Sequence, residues 1–272
     1  MSIHGSAMVA PGAQIDPTAE IGPYCVIGPD VSIGPQTRLL AHVVIANRTT
    51  MGARNVVSPF AVLGGKPQDL KFKDEPSRLI IGDDNVIREA VTCSIGTAAG
   101  HMETRIGNGC MLMAYSHVAH DCRVGNSVIL ANSVGLAGHS ELGDYVIMSG
   151  ISGIQQFCRI GQRAFVGGGA MIARDVPPFC VAKGDRAFLS GINIIGLRRA
   201  GWTRETIRAV RTAFLNIFRS DITREAGLDK TERELASQFP EVAEFCQFIR
   251  ESKRGVCPCR RAPVALAMTD DD

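Results

Sequence analysis

Large aromatic side chains are scarce in this chain: one Trp and three Tyr among 272 residues. A broad globular core filled by big rings is therefore not expected, whereas 29 glycines suit a narrow core with frequent tight turns. No stretch approaches 18 consecutive apolar residues, which excludes a membrane-spanning helix of ordinary length. No secretory signal is legible at the start. Strong charge of either sign is also missing, and a formal net charge of +2 gives no global reason to expect nucleic acid as a partner. Charge is concentrated in one place, with six arginines against Glu205 alone between Arg198 and Arg219. Such a run reads first as a solvated helix face, and second as a docking surface for an acidic partner. The nine cysteines sit mostly among small apolar residues, as reduced thiols acting as small hydrophobes. A cytoplasmic setting is expected from them. Cys257-Pro-Cys259 lacks two further ligands and is a weak metal signal.

What the chain has in abundance is a period of six. Aliphatic residues recur at Val9, Ile15, Ile21, Ile27, Ile33, Leu39, Ile45, Met51, Val57 and Leu63, and again at Ile81 and Ile87 in the same phase. After a slip of one residue, Ile106, Leu112, Val118, Val124, Leu130, Leu136 and their successors carry the series to Ile172. A small residue often follows, as in Ile21-Gly22, Ile33-Gly34 and Ile160-Gly161. Six matches neither the helical nor the strand period. It fits a three-sided solenoid in which each hexad forms one face, the aliphatic residue points inward and the small residue turns the corner. The fold class is thus an all-β solenoid plus α: a left-handed parallel β-helix of hexapeptide repeats over residues 1–190, then a small helical domain over 191–254.

Two segments break the period, 64–80 and 94–105, and are expected to protrude as loops, where binding groups concentrate. The hexads stop at Pro177-Pro178. From Thr203, a plausible N-cap, Ile207, Val210, Phe214 and Phe218 recur at helical spacing. Further helices are expected near 230–238 and after Pro240. Residues 255–272 lack periodicity, end in three aspartates and are expected to be a disordered tail.

Among six histidines, His117, His120 and His139 lie in consecutive coils. A coil takes roughly 18 residues, so His139 is expected to stack close to His120. Both are expected to face outward. His120 with Asp121 offers a base whose tautomer a carboxylate fixes, able to take a proton from a hydroxyl that attacks a thioester. Gly138 offers a bare backbone N–H to the oxyanion that forms. A competing chemistry is a zinc site of the carbonic anhydrase type, with three histidines converging from two subunits.

The segments Val118-Ala-His120-Asp121-Cys122, Leu136-Ala-Gly138-His139, Gln68-Asp69-Leu70-Lys71, Ile87-Arg-Glu89-Ala-Val91-Thr92 and Asp175-Val-Pro-Pro178 resemble those of the UDP-N-acetylglucosamine 3-O-acyltransferases, from about Ile3 to Gly255. That family performs the first acylation of lipid A biosynthesis. The resemblance implies a homotrimer with active sites between subunits, a (3R)-3-hydroxyacyl group on acyl carrier protein as donor, and the sugar 3-hydroxyl as acceptor, with no cofactor and no metal. It implies His120 as general base, Asp121 as its orienting partner and Gly138 at the oxyanion. Gln68, Asp69, Lys71, His117, His139 and Gln156 would line the substrate cleft, with Asn193 and Arg199 reaching nucleotide or donor from the helical side. Gly168 matches the position that sets acyl-chain length. The arginine-rich helix gains a natural partner in the acidic acyl carrier protein. The chain departs from the best-known members at Gln155 and Ser94, both histidine there, at Ile195, where glutamate is expected, and at Ala200, an arginine there. An enzyme acylating an amine on a similar nucleotide sugar therefore stays open as an alternative.

Overall fold

The computed structural model describes residues 2–259. Strands of mostly two residues recur along the chain and assemble into three sheets of 11, 9 and 8 strands, in which the strands from Ser2–Ile3 to Met171–Ile172 pair in parallel with their third neighbours along the chain. Three strands therefore make one coil, and the three sheets are the faces of a left-handed parallel β-helix. Ladder partners sit 18 positions apart in regular coils (Leu39↔Val57), 30 apart across the first excursion (Val57↔Ile87) and 25 apart across the second (Ile87↔Leu112).

The inward column is the expected one. Ile21, Leu39, Val57, Ile87, Leu112, Leu130, Met148 and Val166 are all at most 2% exposed on one face. Each such side chain contributes on the order of 1.5–3 kcal/mol by leaving water, and the contributions repeat coil after coil. Ile3, at 38% exposure, marks the end of this column, where no earlier coil stacks beneath it. The corners are held in a conformation that side chains ordinarily avoid. Among the described residues twenty-one non-glycine positions have positive φ, including Asp121 (59°), His139 (61°) and Phe157 (64°). At such a corner the side chain leaves the prism outward, and Asp121, His139 and Phe157 mark one edge, one per coil.

Both excursions leave the prism at that same edge. They are shorter than the break in periodicity predicts: Gly64–Gly65 and Arg78–Ile80 stay in strands, as do Ser94 and Glu103–Arg105. What protrudes is 66–77 and 95–102. The loops are tied to each other and to the prism. Ser77 Oγ donates to the Gly96 carbonyl at 2.5 Å, Arg48 Nη1 donates to the Glu75 carbonyl at 2.7 Å, and Lys66 pairs with Asp74.

After the last hexad strand, Met171–Ile172, an antiparallel pair forms between Cys180–Lys183 and Phe188–Ile192, which the period-six reading did not contain. Four helical segments follow: α1 Ile194–Arg199, α2 Arg204–Phe218, α3 Arg224–Thr231, continued by a π-helical turn Glu232–Ala236, and α4 Pro240–Arg250. Thr203 caps α2 as expected, accepting from the Thr206 N–H. α2 buries Ile207, Val210 and Phe214, and α4 buries Val242, Phe245 and Ile249, so the apolar stripes face one another. Arg250 fastens α4 to α3 and the π-helical turn by pairing with Glu225, Asp229 and Glu232.

The expected disordered tail is corrected for its first residues. Val256 and Cys257 are 2% and 1% exposed, Val256 bridges Asp175, and Cys259 bridges Leu189. Apolar side chains and a backbone ladder hold this stretch where composition alone pointed to disorder. Residues 260–272 lie outside the described residues. Among the described residues no helix is long and apolar enough to cross a membrane.

Candidate active site

The edge where both loops emerge carries the chemistry. Asp121 accepts four hydrogen bonds. Its Oδ1 takes the backbone N–H of Thr97 at 3.0 Å and of His101 at 2.9 Å, and its Oδ2 takes the Thr97 hydroxyl at 2.6 Å and His120 Nδ1 at 2.9 Å. Its own N–H donates to Thr104 Oγ1 at 2.8 Å. Burial works against the charge of this carboxylate, but the bonds from Thr97, His120 and His101 outweigh it and hold its pKa below the usual carboxylate range. A carboxylate only accepts, so His120 Nδ1 carries a proton, and in the neutral ring Nε2 keeps its lone pair. That is the tautomer a general base needs.

The sequence places His120 on an outer surface, and here the structure corrects it: His120 is 8% exposed and Asp121 1%. Neither has turned into the prism. The second loop, through Thr97, Gly100 and His101, folds over the corner and covers Asp121, while the His120 ring is closed in by Gly138 and His139. Gly100 is required there, since a Cβ would lie 2.3 Å from the Asp121 carboxyl. The His120 ring also lies against Gly138, whose imagined Cβ would fall 2.5 Å from Cε1 and 2.6 Å from Nε2. The Gly138 N–H donates to no group among the described residues.

His120 opens onto a cleft of about 590 Å³ that also draws in Gln68, His117, Gly138, Gln155 and Gln156. His117 Nδ1 is hydrogen-bonded to Thr92 Oγ1 at 2.7 Å, and burial, helped by the neighbouring His120, lowers its pKa. His139 does come close to His120, with ring centroids 5.0 Å apart, but edge-on; its face is stacked on Phe157 at 4.4 Å. It lines a second hollow of about 410 Å³ with His101, Phe157, Arg159, Lys253 and Arg254. Burial lowers the His139 pKa despite the nearby Asp121.

Asp69 is close enough for its charge to act on His139, while Lys71, Gly168, Asn193 and Arg199 stand apart. Asp69 Oδ1 accepts the Lys71 N–H at 2.9 Å within the first loop, and the Lys71 side chain is exposed. Gly168 lies outside the cleft, and a Cβ there would meet only the Gly150 carbonyl at 3.5 Å. Asn193 caps α1, accepting from the Gly196 N–H and donating to the Arg163 carbonyl, so it belongs to another edge of the prism; Arg199 is exposed at the end of α1. Of the departures, Gln155 lines the cleft, Ser94 is 5% exposed behind the second loop, and Ile195 and Ala200 are exposed near α1. Thr97, His101 and Thr104, which fix the carboxylate, carry no signal in sequence spacing and were not singled out.

A metal would find His120, Asp121 and His139 with ligand atoms within 4.8 Å of one another, a different trio from the three histidines of the zinc reading. The donor set does not suit it, because all four lone-pair positions of Asp121 are engaged by protein donors.

Comparison with known proteins agrees with this geometry. The family of UDP-N-acetylglucosamine O-acyltransferases, domain 2, matches residues 175–257, and the bacterial transferase hexapeptide family of six repeats matches residues 103–138. A protein of Anaeromyxobacter sp. (strain Fw109-5) named acyl-[acyl-carrier-protein]--UDP-N-acetylglucosamine O-acyltransferase is 49% identical, over 94% of this chain and 99% of its own length. The solved UDP-N-acetylglucosamine O-acyltransferase of Moraxella catarrhalis superimposes with a TM-score of 0.92 at 43% identity, over 94% of this chain and 100% of that one. The enzyme of Arabidopsis does so with a TM-score of 0.82 at 34% identity, over 94% of this chain and 99% of that one. With a single coil architecture, both loops and the helical end shared along nearly the whole length, this chain belongs to the UDP-N-acetylglucosamine O-acyltransferase family.

Proposed function

We propose that the chain moves a (3R)-3-hydroxyacyl group from the thioester of acyl carrier protein to the 3-hydroxyl of UDP-N-acetylglucosamine, the first step of lipid A biosynthesis. The observation that carries the reading is the His120–Asp121 pair, held by Thr97 and facing a cleft that Gln68, Gln155 and Gln156 also line, beside a bare Gly138 N–H. His120 Nε2 takes the proton of the sugar hydroxyl as its oxygen attacks the thioester carbonyl. The tetrahedral oxyanion is met by the Gly138 N–H. Collapse breaks the C–S bond, and the imidazolium returns its proton to the departing thiolate. Asp121 stabilises the imidazolium in between. The thioester supplies the driving force, and each proton and bond of the step is accounted for without a cofactor or metal.

Asn193 and Arg199 sit at an edge away from His120, and Asn193 is occupied within its own chain. For such residues to reach the nucleotide, a neighbouring copy must bring its own edge to this cleft, which supports the homotrimer. Arg204, Arg208 and Arg211 are exposed on α2 and suit an acidic carrier protein as partner. The absence of disulfides among the nine cysteines accords with a cytoplasmic enzyme.

The test is acyl transfer by the wild-type chain and by His120→Ala, at equal concentration and with the assembly checked by sedimentation. Loss of about 10²–10⁴-fold in kcat with the assembly intact supports the reading. An active variant removes His120 from the reaction.

A further inference from the structure

On the face that carries His117, the outward positions of successive coils are His117, Gly135, Gly153 and Met171. With coils stacked at the strand spacing, His117 and Met171 stand about 14 Å apart, with two bare positions between them. Neither glycine has a left-handed φ, so the backbone there would accept any residue. Glycine within a strand weakens it unless something must approach the backbone closely. At Gly135 a Cβ would meet nothing within 4 Å. At Gly153 it would meet Met171 Sδ at 3.3 Å, so the thioether leans back over the second bare position. Met171 is 46% exposed, a large apolar side chain at the end of a trough that the amides of Gln155 and Gln156 also line. Beyond it the chain segment 184–187 closes the way, the Met171 N–H donating to the Gly184 carbonyl and the Ala187 N–H to the Met171 carbonyl.

We propose that Gly135, Gly153 and Met171 determine acceptor specificity: the sugar and diphosphate lie flat on the bare floor, and the Met171 thioether ends the track by packing against the nucleoside. This rests on the acyltransferase reading above. The sugar hydroxyl has to be at His120, and the track leads from there past Gln155 and Gln156, whose amides suit phosphate and sugar oxygens rather than a hydrocarbon. Gly168 lies off this track, leaving the acyl chain a separate route.

The experiment compares wild type, Gly135→Ala and Met171→Ala for folding, for the KM of UDP-N-acetylglucosamine, for the KM of the acyl carrier substrate and for chain-length preference. Gly135→Ala meets no protein atom, so its thermal midpoint stays that of wild type while the acceptor KM rises about tenfold or more. Met171→Ala raises the acceptor KM and narrows the preference for the uridine nucleotide over other nucleoside diphosphate sugars. Donor KM and chain-length profile stay unchanged in both. An unchanged acceptor KM overturns the proposal, and so does a shifted chain-length profile, which would make the trough the acyl track. If wild type transfers no acyl group, the acyltransferase reading fails on its own. Calorimetric binding of UDP-N-acetylglucosamine to wild type and Gly135→Ala then decides the trough separately, weaker binding by the variant supporting it and equal binding overturning it.

Discussion

The hydroxyl of Thr97, carried by the second loop, donates to Asp121 Oδ2 at 2.6 Å, the same oxygen that receives His120 Nδ1 at 2.9 Å. The carboxylate that orients the base is thus itself oriented by a segment that leaves the β-helix one coil earlier. The coil brings His120 and Asp121 to the edge; the loop fixes their geometry and keeps water from the Asp121 side chain.

Thr97→Val keeps the volume and removes the donor. The buried carboxylate then lacks one of its four partners, and a hydrogen bond to a charged group contributes about 1.5–3 kcal/mol. The expected outcome is a stability loss of that size and a lower kcat, with Thr97→Ser recovering most of both. Urea midpoints and initial rates on the three proteins check it. A fully active Thr97→Val would show that the loop covers the carboxylate without positioning the base.

Gly138→Ala separates placement from chemistry. The new Cβ would occupy space 2.5–2.6 Å from His120 Cε1 and Nε2, so the ring must move. We expect kcat to fall at least tenfold, a barrier increase of about 1.4 kcal/mol, with the β-helix retained by circular dichroism. Unaltered kcat would mean that the ring position seen here is not the working one.

Acidification should weaken the fold in two stages. His117 and His139 have lowered pKa values, chiefly from burial, so below about 6.5 the unfolded chain takes up protons before the folded chain does, and stability declines as pH falls from there. Asp121 contributes stability that is fully present above the ordinary carboxylate pKa of about 3.9 and is lost as pH falls through its lower folded value. Urea midpoints between pH 8 and pH 3 test this, and His117→Gln should flatten the first stage while leaving the second. A midpoint constant from pH 8 to pH 5 contradicts it.

Thiol chemistry gives a further check on the narrow core. Eight of the nine cysteines are buried, and burial pushes the Cys122 thiol up to about 12 and Cys93 further still. A thiolate-seeking reagent should label at most Cys259 quickly in the native protein and all nine in guanidinium. Rapid native labelling of Cys122 would show that the coils open at the site.

The six-residue period made the β-helix, its inward ladder and the nearness of His120 to His139 legible, because each depends on a local rule repeated along the chain. The covering of Asp121 was not legible. Periodicity tells inward from outward relative to the prism, and it is silent about a loop that folds back over an outward residue. For the same reason Thr97 and His101 escaped notice: their partner, Asp121, is reached through the path of a loop and not through a spacing. Val256 and Cys257 were misread as disorder since their order comes from a bridge to Asp175, more than 80 positions earlier, which composition cannot register. The paired strands before α1 were missed because a single antiparallel pair has no repeat to announce it.

The most direct measurement is the mass and base lability of the product made by the wild-type chain from UDP-N-acetylglucosamine and a panel of 3-hydroxyacyl carrier proteins. The account requires a singly acylated sugar nucleotide whose acyl group is released by mild base, as an ester is, and whose formation is lost in His120→Ala. Absence of any acylated product from UDP-N-acetylglucosamine, or product formed equally well without the imidazole, would contradict it.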